Sequence, residues 1–527
     1  MPKVLVSDPI SQEGIDLLKK HFDVDVKTGL EKDALISIIG DYDALAVRSE
    51  TKVTADVLEA AKNLKIIGRA GVGVDNIDVP VATQKGILVV NSPAGNTYAA
   101  AELTMAMMLS LARNIPQGHS SLRAGEWKRS KLIGNELYGK TLGVYGLGKI
   151  GTAVAKRALS FEMSVVGFDP FVSADYAQKL GIELVSFEEL LARSDWLTLH
   201  VPATKDTKGS IGPEQIAMMK DGVRIINVAR GGIVDEAAVC KAVEDGKVAG
   251  IAFDVFEKEP PSAENPLLKL ERAITTPHLG ASTEEAQIKV AVDVAEQIID
   301  VLNGKPARSA VNMPALSADL LNAVAPYMTL GERMGSMITQ LADSAIKSVE
   351  IGFCGELSGF ETGPVTRAVL KGILQPVLME SVNFVNAPLI VEQRGIRVTE
   401  SRSCEPEDYT SLLTVKVKTE KGEKSIVGTL FGKKDFRIVR IDNYQVDLMP
   451  EGCMLVTMHS DKPGVIGRVG MMLGDQGINI GGMHVARESV GNLAMMVLAV
   501  DDPVSEPVMK QMTELQGIES VRLVQLN

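Results

Sequence analysis

The stretch that most constrains this chain is Thr141 to Gly151, TLGVYGLGKIG, together with Asp169 downstream. Thr141 to Tyr145 is a short β-branched and apolar run, Gly146-x-Gly148-x-x-Gly151 follows at once, and Thr152 to Ser160 has helical spacing. A strand, a glycine turn and a helix in this order let the chain reverse tightly, bring backbone close to a ligand and pack helix on strand. The free N–H groups and dipole of the helix N-terminus favour a pyrophosphate there. Ser164 to Phe168 reads as a second strand ending at Asp169, whose carboxylate can accept from ribose hydroxyls and would repel a 2′-phosphate. The unit is expected to hold NAD rather than NADP. In a chain with 48 glycines a lone turn of this kind arises by chance, but the strand, helix, second strand and acid stand here in register.

Strand-like and helical segments alternate on both sides of this unit. Lys3 to Ser7, Ala44 to Arg48, Lys65 to Gly68 and Leu88 to Asn91 are strand-like, with helical patterns such as Gln12 to Lys20 and Thr54 to Ala61 between them. After a long helix over Asn96 to Arg113, a second set runs through Trp196 to Leu199, Arg224 to Asn227, Gly250 to Asp254 and Ala273 to Thr275. The expected fold is α/β, with two Rossmann or flavodoxin-like lobes facing one another. The helix Thr283 to Leu302 is long enough to return the chain to the first lobe. Beyond Asn303-Gly304-Lys305-Pro306 the pattern turns α+β, and Gly452 to Asn527 follows a ferredoxin-like order around a DKPG turn. The domains are read as 1–97 with 284–316, 98–283, 317–451 and 452–527.

The net charge of −12, with acids and bases interspersed, disfavours nucleic acid as a partner. Four dispersed cysteines, Cys240, Cys354, Cys404 and Cys453, read as reduced thiols, and no metal site is expected. The opening MPKVLVSDP lacks the pattern of a signal peptide, and the apolar run Ala99 to Ala112 is interrupted by Glu102 and too short to span a bilayer. A cytoplasmic protein with no membrane partner is expected.

Arg230, Glu259 and His278 follow three of the later strands of the second set, so a parallel sheet brings all three to the crevice that holds the Gly146 turn. An imidazole can take a hydroxyl proton, a carboxylate can hold that imidazole, and a guanidinium can grip a carboxylate bidentately. Each residue alone is ordinary; their joint placement at strand ends makes them a site. GLGKIG, NVARGGIVDE, AFDVFEKEP and TPHLGAST together resemble the D-2-hydroxyacid dehydrogenase family from Met1 to about Pro314. The resemblance implies that Arg230 binds the substrate carboxylate, Glu259 orients His278, and His278 is the acid/base. It also implies cofactor contacts from Val72, Gly148, Lys149 and Ile150, from Val228, Ala229 and Arg230, and from His278, Leu279, Gly280 and Ala281. Asp254 falls where the family contacts the nicotinamide carboxamide.

The first lobe adds Arg48 and Ser49, then Arg69 with Gly71 and Gly73, while Arg129 lies between the lobes. RSETKVT and GRAGVGVDNID resemble the branch of the family that acts on 3-phosphoglycerate, which implies that these arginines take a phosphate. The tail, HSDKPGVIGRVGMMLGDQGINIGGM, resembles an ACT domain and implies an amino-acid effector, L-serine, at His459, Asp461 and Asn479. Apolar residues on most faces of Asn96 to Arg113, including Met105, Met107, Met108 and Leu111, suggest packing against a second subunit. A homodimer is expected, or a tetramer if the tails also pair. The alternatives are another dehydrogenase of the family, acting on glyoxylate or hydroxypyruvate, and a regulatory protein that senses NAD.

Overall fold

The first apolar runs form a parallel sheet because each is buried on both faces by the helices between them. In the computed structural model, which describes residues 1–313, 318–378, 382–402, 408–432, 435–489 and 491–526, these strands are β1 (Lys3–Val6), β2 (Asp23–Val26), β3 (Ala44–Val47), β4 (Ile66–Arg69) and β5 (Leu88–Asn91). Their order is β2-β1-β3-β4-β5, with every pairing parallel. The sequence reading lacked β2, whose DVDV is partly exposed at the sheet edge and carries no apolar run.

The second sheet contains β6 (Thr141–Tyr145), β7 (Ser164–Phe168), β8 (Glu183–Leu184), β9 (Trp196–Leu199), β10 (Val223–Asn227), β11 (Val248–Phe253) and β12 (Ala273–Thr275). It is ordered β12-β11-β10-β9-β6-β7-β8 and is also parallel throughout. Strand order reverses at β6, which pairs with both β7 and β9, and such a switch point opens a crevice at the strand C-termini. The glycine turn leaves β6 directly into it.

The helix Glu284–Leu302 brings the chain back onto β4, where a Cβ on Gly68 would lie 2.4 Å from Val294 Cγ1. The buried Gln297 amide donates to the Asn91 carbonyl and accepts from Ser309 N–H, both at 2.9 Å, which fastens the returning chain to the first lobe.

The rest of the chain is built around the helix Ala318–Leu341. One side meets a six-stranded mixed sheet, and Met334, Met337 and Ile338 share a single core with Met454, Val456, Met495, Val497 and Val524 of the tail. The tail sheet is antiparallel, with helices Val465–Asp475 and Glu506–Glu514 closing its other core. The expected order of strand, helix, two strands, helix and strand is present.

Two expectations are corrected. Met105, Met107, Met108 and Leu111 are between 0% and 8% exposed and lie in the core of their own lobe, so they offer no face to a second subunit. Cys354 is disulfide-bonded rather than a reduced thiol, while Cys240 and Cys453 are free. Cys404 lies outside the described residues. Among the described residues no helix is long and apolar enough to cross a membrane.

Candidate active site

The residues that follow β10, β11 and β12 are arranged by short polar anchors. Beyond β10, the Asn227 amide accepts from Ala229 N–H at 3.1 Å and donates to the Arg230 carbonyl at 2.9 Å, which shapes the turn carrying Arg230. Beyond β11 stands Asp254, fully buried, whose carboxylate accepts from Leu279 N–H at 2.7 Å, Gly280 N–H at 2.8 Å and Thr276 Oγ1 at 2.5 Å. Burial pushes the Asp254 carboxyl up, against the opposing effect of these bonds. The loop after β12 is thereby wrapped around Asp254, and His278 adopts the left-handed region at φ 53°.

His278 Nδ1 lies 2.7 Å from Glu259 Oε2, and the other Glu259 oxygen accepts from Phe256 N–H at 3.0 Å. Burial raises the Glu259 pKa, but the bonds from His278 and Phe256 outweigh it and leave the carboxyl below its ordinary range. An ionised Glu259 makes Nδ1 the donor and leaves Nε2 to act as a base, the arrangement an imidazole needs for proton abstraction. The His278 side chain is half exposed, open to a reactant.

Across the cleft, the loop after β3 is gathered by Asp8, only 1% exposed, which accepts from the main chain of Arg48, Glu50 and Thr51 and from the Thr51 hydroxyl. The Asn76 amide donates to the Arg48 and Thr51 carbonyls, at 3.1 and 2.7 Å, and so ties this loop to the one after β4. Gly71 and Gly73 serve as seats for two guanidinium groups. A Cβ on Gly71, at φ +151°, would lie 1.6 Å from Arg69 Nη1, and one on Gly73 would lie 2.1 Å from Arg230 Nη2. Burial pushes Arg69 down to about 10, with Arg230 and Arg48 adding like-charge repulsion. The Arg69 Nε is buried without a hydrogen-bond partner, a donor left for an anion. Arg230 Nε meets Asp75 Oδ2 at 3.2 Å, an ion pair that spans the two lobes.

The glycine turn has the space a pyrophosphate requires. A Cβ on Gly151 would lie 1.9 Å from the Gly146 carbonyl oxygen, Gly146 sits at φ +95°, and a Cβ on Gly148 would meet nothing within 4 Å. The helix Lys149–Ser160 starts there with Gly148 at its N-cap and no side chain capping its N–H groups. Asp169 reaches back to accept from Leu147 N–H at 2.8 Å and from Phe171 N–H at 2.9 Å, which places a carboxylate at the turn. These residues fit a bound dinucleotide.

The structure thus brings together Arg48, Arg69, Arg230, Glu259 and His278 at the strand ends. Arg129 is not among them: it is exposed on the turn Arg129–Lys131 and forms no ion pair among the described residues. In the tail, His459 is 2% exposed with Nδ1 unpartnered, and Asp461 accepts from Arg487 Nη1 at 3.3 Å and Gly491 N–H at 3.2 Å. Asn479 donates to Asp501 Oδ2 at 2.8 Å. Asp461 and Asn479 flank opposite ends of the strand Ile480–Arg487, so within one chain they do not converge. Sequence reasoning missed Asp8, Asp75 and Asn76. A distant cleft of about 1020 Å³ separates the first lobe from the module after it and is lined by Lys65, Lys85, Arg367 and Asn383, with no residue of the site.

Comparison with known proteins bears on this arrangement. Residues 105–280 match the D-isomer specific 2-hydroxyacid dehydrogenase NAD binding domain, 323–442 the D-3-phosphoglycerate dehydrogenase intervening domain, and 454–517 the ACT domain. The chain is 49% identical to D-3-phosphoglycerate dehydrogenase of Archaeoglobus fulgidus, over 99% of this chain and 100% of that one. It is 47% identical to the Methanocaldococcus jannaschii protein of the same name, over 100% of both. Among solved structures, D-lactate dehydrogenase from Aquifex aeolicus, complexed with NAD and lactic acid, is 29% identical with a TM-score of 0.54, covering 59% of this chain and 100% of that one.

Proposed function

The chain belongs to the D-3-phosphoglycerate dehydrogenase family, and from that premise we propose that it oxidises 3-phospho-D-glycerate to 3-phosphohydroxypyruvate with NAD, the first step of L-serine synthesis. NAD, when bound, supplies the hydride acceptor. His278 Nε2 takes the proton of the C2 hydroxyl, and Glu259, already ionised, stabilises the imidazolium that forms. Arg230 grips the substrate carboxylate and fixes C2, a gain that comes from orientation. Arg48 and Arg69 are the groups that hold the phosphate. Asp169 accepts from the ribose hydroxyls, the N–H groups of Gly148 to Ile150 face the phosphates, and Asp254 acts through the Leu279 to Ala281 loop that it holds in place.

The observation that carries this reading is the 2.7 Å pair of His278 and Glu259 beside a carboxylate-binding arginine. His278→Ala is expected to lower kcat by about a hundredfold or more, the scale of a general base, while NAD binding measured by fluorescence is retained. Turnover near that of the unaltered enzyme would reject His278 as the base.

The enzyme is at least a dimer in this proposal. Leu122, Trp127, Ile133 and Tyr138, between 59% and 81% exposed on the segment joining the lobes, are the apolar surface that a second subunit would cover. Arg129 lies in the same exposed segment, and its role as a phosphate ligand is proposed at such an interface. L-serine is the effector: an ammonium, a carboxylate and a hydroxyl match Asp461, the Asn479 amide and turn N–H groups. The separation of Asp461 from Asn479 within one chain favours a site between two paired tails.

A further inference from the structure

We infer that Asp75 determines specificity by occupying the Arg230 edge that a substrate carboxylate needs, so that only a substrate with a second anionic group displaces it favourably. The inference rests on the reading of Arg230 as the carboxylate site. Arg230 has Nε on Asp75 Oδ2 at 3.2 Å, Nη1 on the Ala229 carbonyl at 2.7 Å and Nη2 against Gly73. A carboxylate bound bidentately requires two N–H groups on one edge of the guanidinium. The edge made by Nε and Nη2 has Asp75 on its Nε, while on the other edge Nη1 spends one of its two N–H groups on the main-chain Ala229 carbonyl, so of the two occupants only Asp75 can swing away. Its side chain is 71% exposed, whereas that of Arg230 is 27% exposed.

Charge leads to the same conclusion. Arg230 and Arg48 each repel Arg69, and Asp75 and Asp8 offset this. Asp8 is buried and committed to the Arg48 to Thr51 main chain, so Asp75 is the exchangeable counter-charge. A monocarboxylate that displaces Asp75 exchanges one carboxylate for another and gains little at Arg230. A phosphorylated hydroxy acid recovers the loss through new bonds to Arg48 and Arg69. Once it is bound, Asp75 is a like charge beside it.

The test is kcat/KM in the full-length protein for 3-phosphoglycerate oxidation and for glyoxylate reduction, in the unaltered enzyme, Asp75→Asn and Asp75→Glu. Asp75→Asn is expected to raise kcat/KM for glyoxylate about tenfold, the scale of one charge-assisted hydrogen bond, and that for 3-phosphoglycerate by less. Asp75→Glu, which keeps a carboxylate within reach, is expected to retain the original ratio. If both activities fall together in Asp75→Asn through kcat, Asp75 orients Arg230 and the inference is wrong. An unchanged ratio also overturns it. If the unaltered enzyme does not oxidise 3-phosphoglycerate, the proposed function fails before any variant is compared, which keeps the two failures distinct.

Discussion

Asp8 and Asp254, at most 1% exposed, show how single buried residues build this site. Each collects the N–H groups of one loop, on opposite sides of the cleft, and Arg48 and His278 ride on these loops. His200, just after β9 with Nε2 3.0 Å from Thr198 Oγ1, shows the cost of burying an imidazole. Desolvation pushes its pKa down to about 3, whereas in the unfolded chain a histidine titrates near about 6.5. As pH falls below that value the unfolded chain takes up the proton first, so stability is lost at up to about 1.4 kcal/mol per pH unit. Denaturant midpoints measured from neutral pH down to about pH 5 are expected to fall less steeply for His200→Gln than for the unaltered protein. Parallel curves would contradict this. At this scale the convergence of Arg230, Glu259 and His278 was legible, because each sits in a motif at a strand end. Asp8, Asp75 and Asn76 were not, since their importance lies in loops far away in sequence.

At the scale of elements, the glycine positions separate structural from functional constraint. A Cβ at Gly151 would strike the Gly146 carbonyl at 1.9 Å, backbone against backbone, so turn and helix would have to part. At Gly73 the obstructing atoms are side-chain ends, Arg230 Nη2 at 2.1 Å and Asp75 Oδ2 at 2.7 Å. Gly151→Ala is therefore expected to lower the thermal midpoint and weaken NAD binding together. Gly73→Ala should leave the midpoint within the scatter of surface substitutions, about 0.5 kcal/mol, yet raise KM for substrate. A Gly73→Ala enzyme with unchanged KM would show that Arg230 does not depend on that seat. Parallel strands with continuous apolar runs were legible, because burial on both faces leaves no polar interruption. The edge strand β2 was not, for the opposite reason. Met105, Met107, Met108 and Leu111 of the helix after β5 suggested an intersubunit face, yet they are clothed by their own lobe, which has the same composition as such a face.

At the scale of the molecule, the tail and the module before it share one core and are sewn together at Gln340, which exchanges two 2.9 Å bonds with the Gln525 main chain. Asn383 in turn donates to the Gly86 carbonyl of the first lobe at 2.8 Å. A ligand at the tail can change activity only if it favours one arrangement of these bodies, and this continuous packing offers a route. L-serine is expected to inhibit the full-length enzyme, and Asp461→Ala to remove that response. Equal inhibition of both would place serine at the active site. The βαββαβ order of the tail was legible from its turns, whereas the burial of its sheet face on another module depends on contacts that no local pattern records. The central claim is that two facing lobes assemble a site for a phosphorylated hydroxy acid, and the most direct measurement is NADH formation by the unaltered protein from 3-phosphoglycerate, D-lactate and D-glycerate at equal concentration. The account predicts rapid NADH formation from 3-phosphoglycerate and far slower formation from the two unphosphorylated acids. Equal rates, or turnover of the unphosphorylated acids alone, would contradict it.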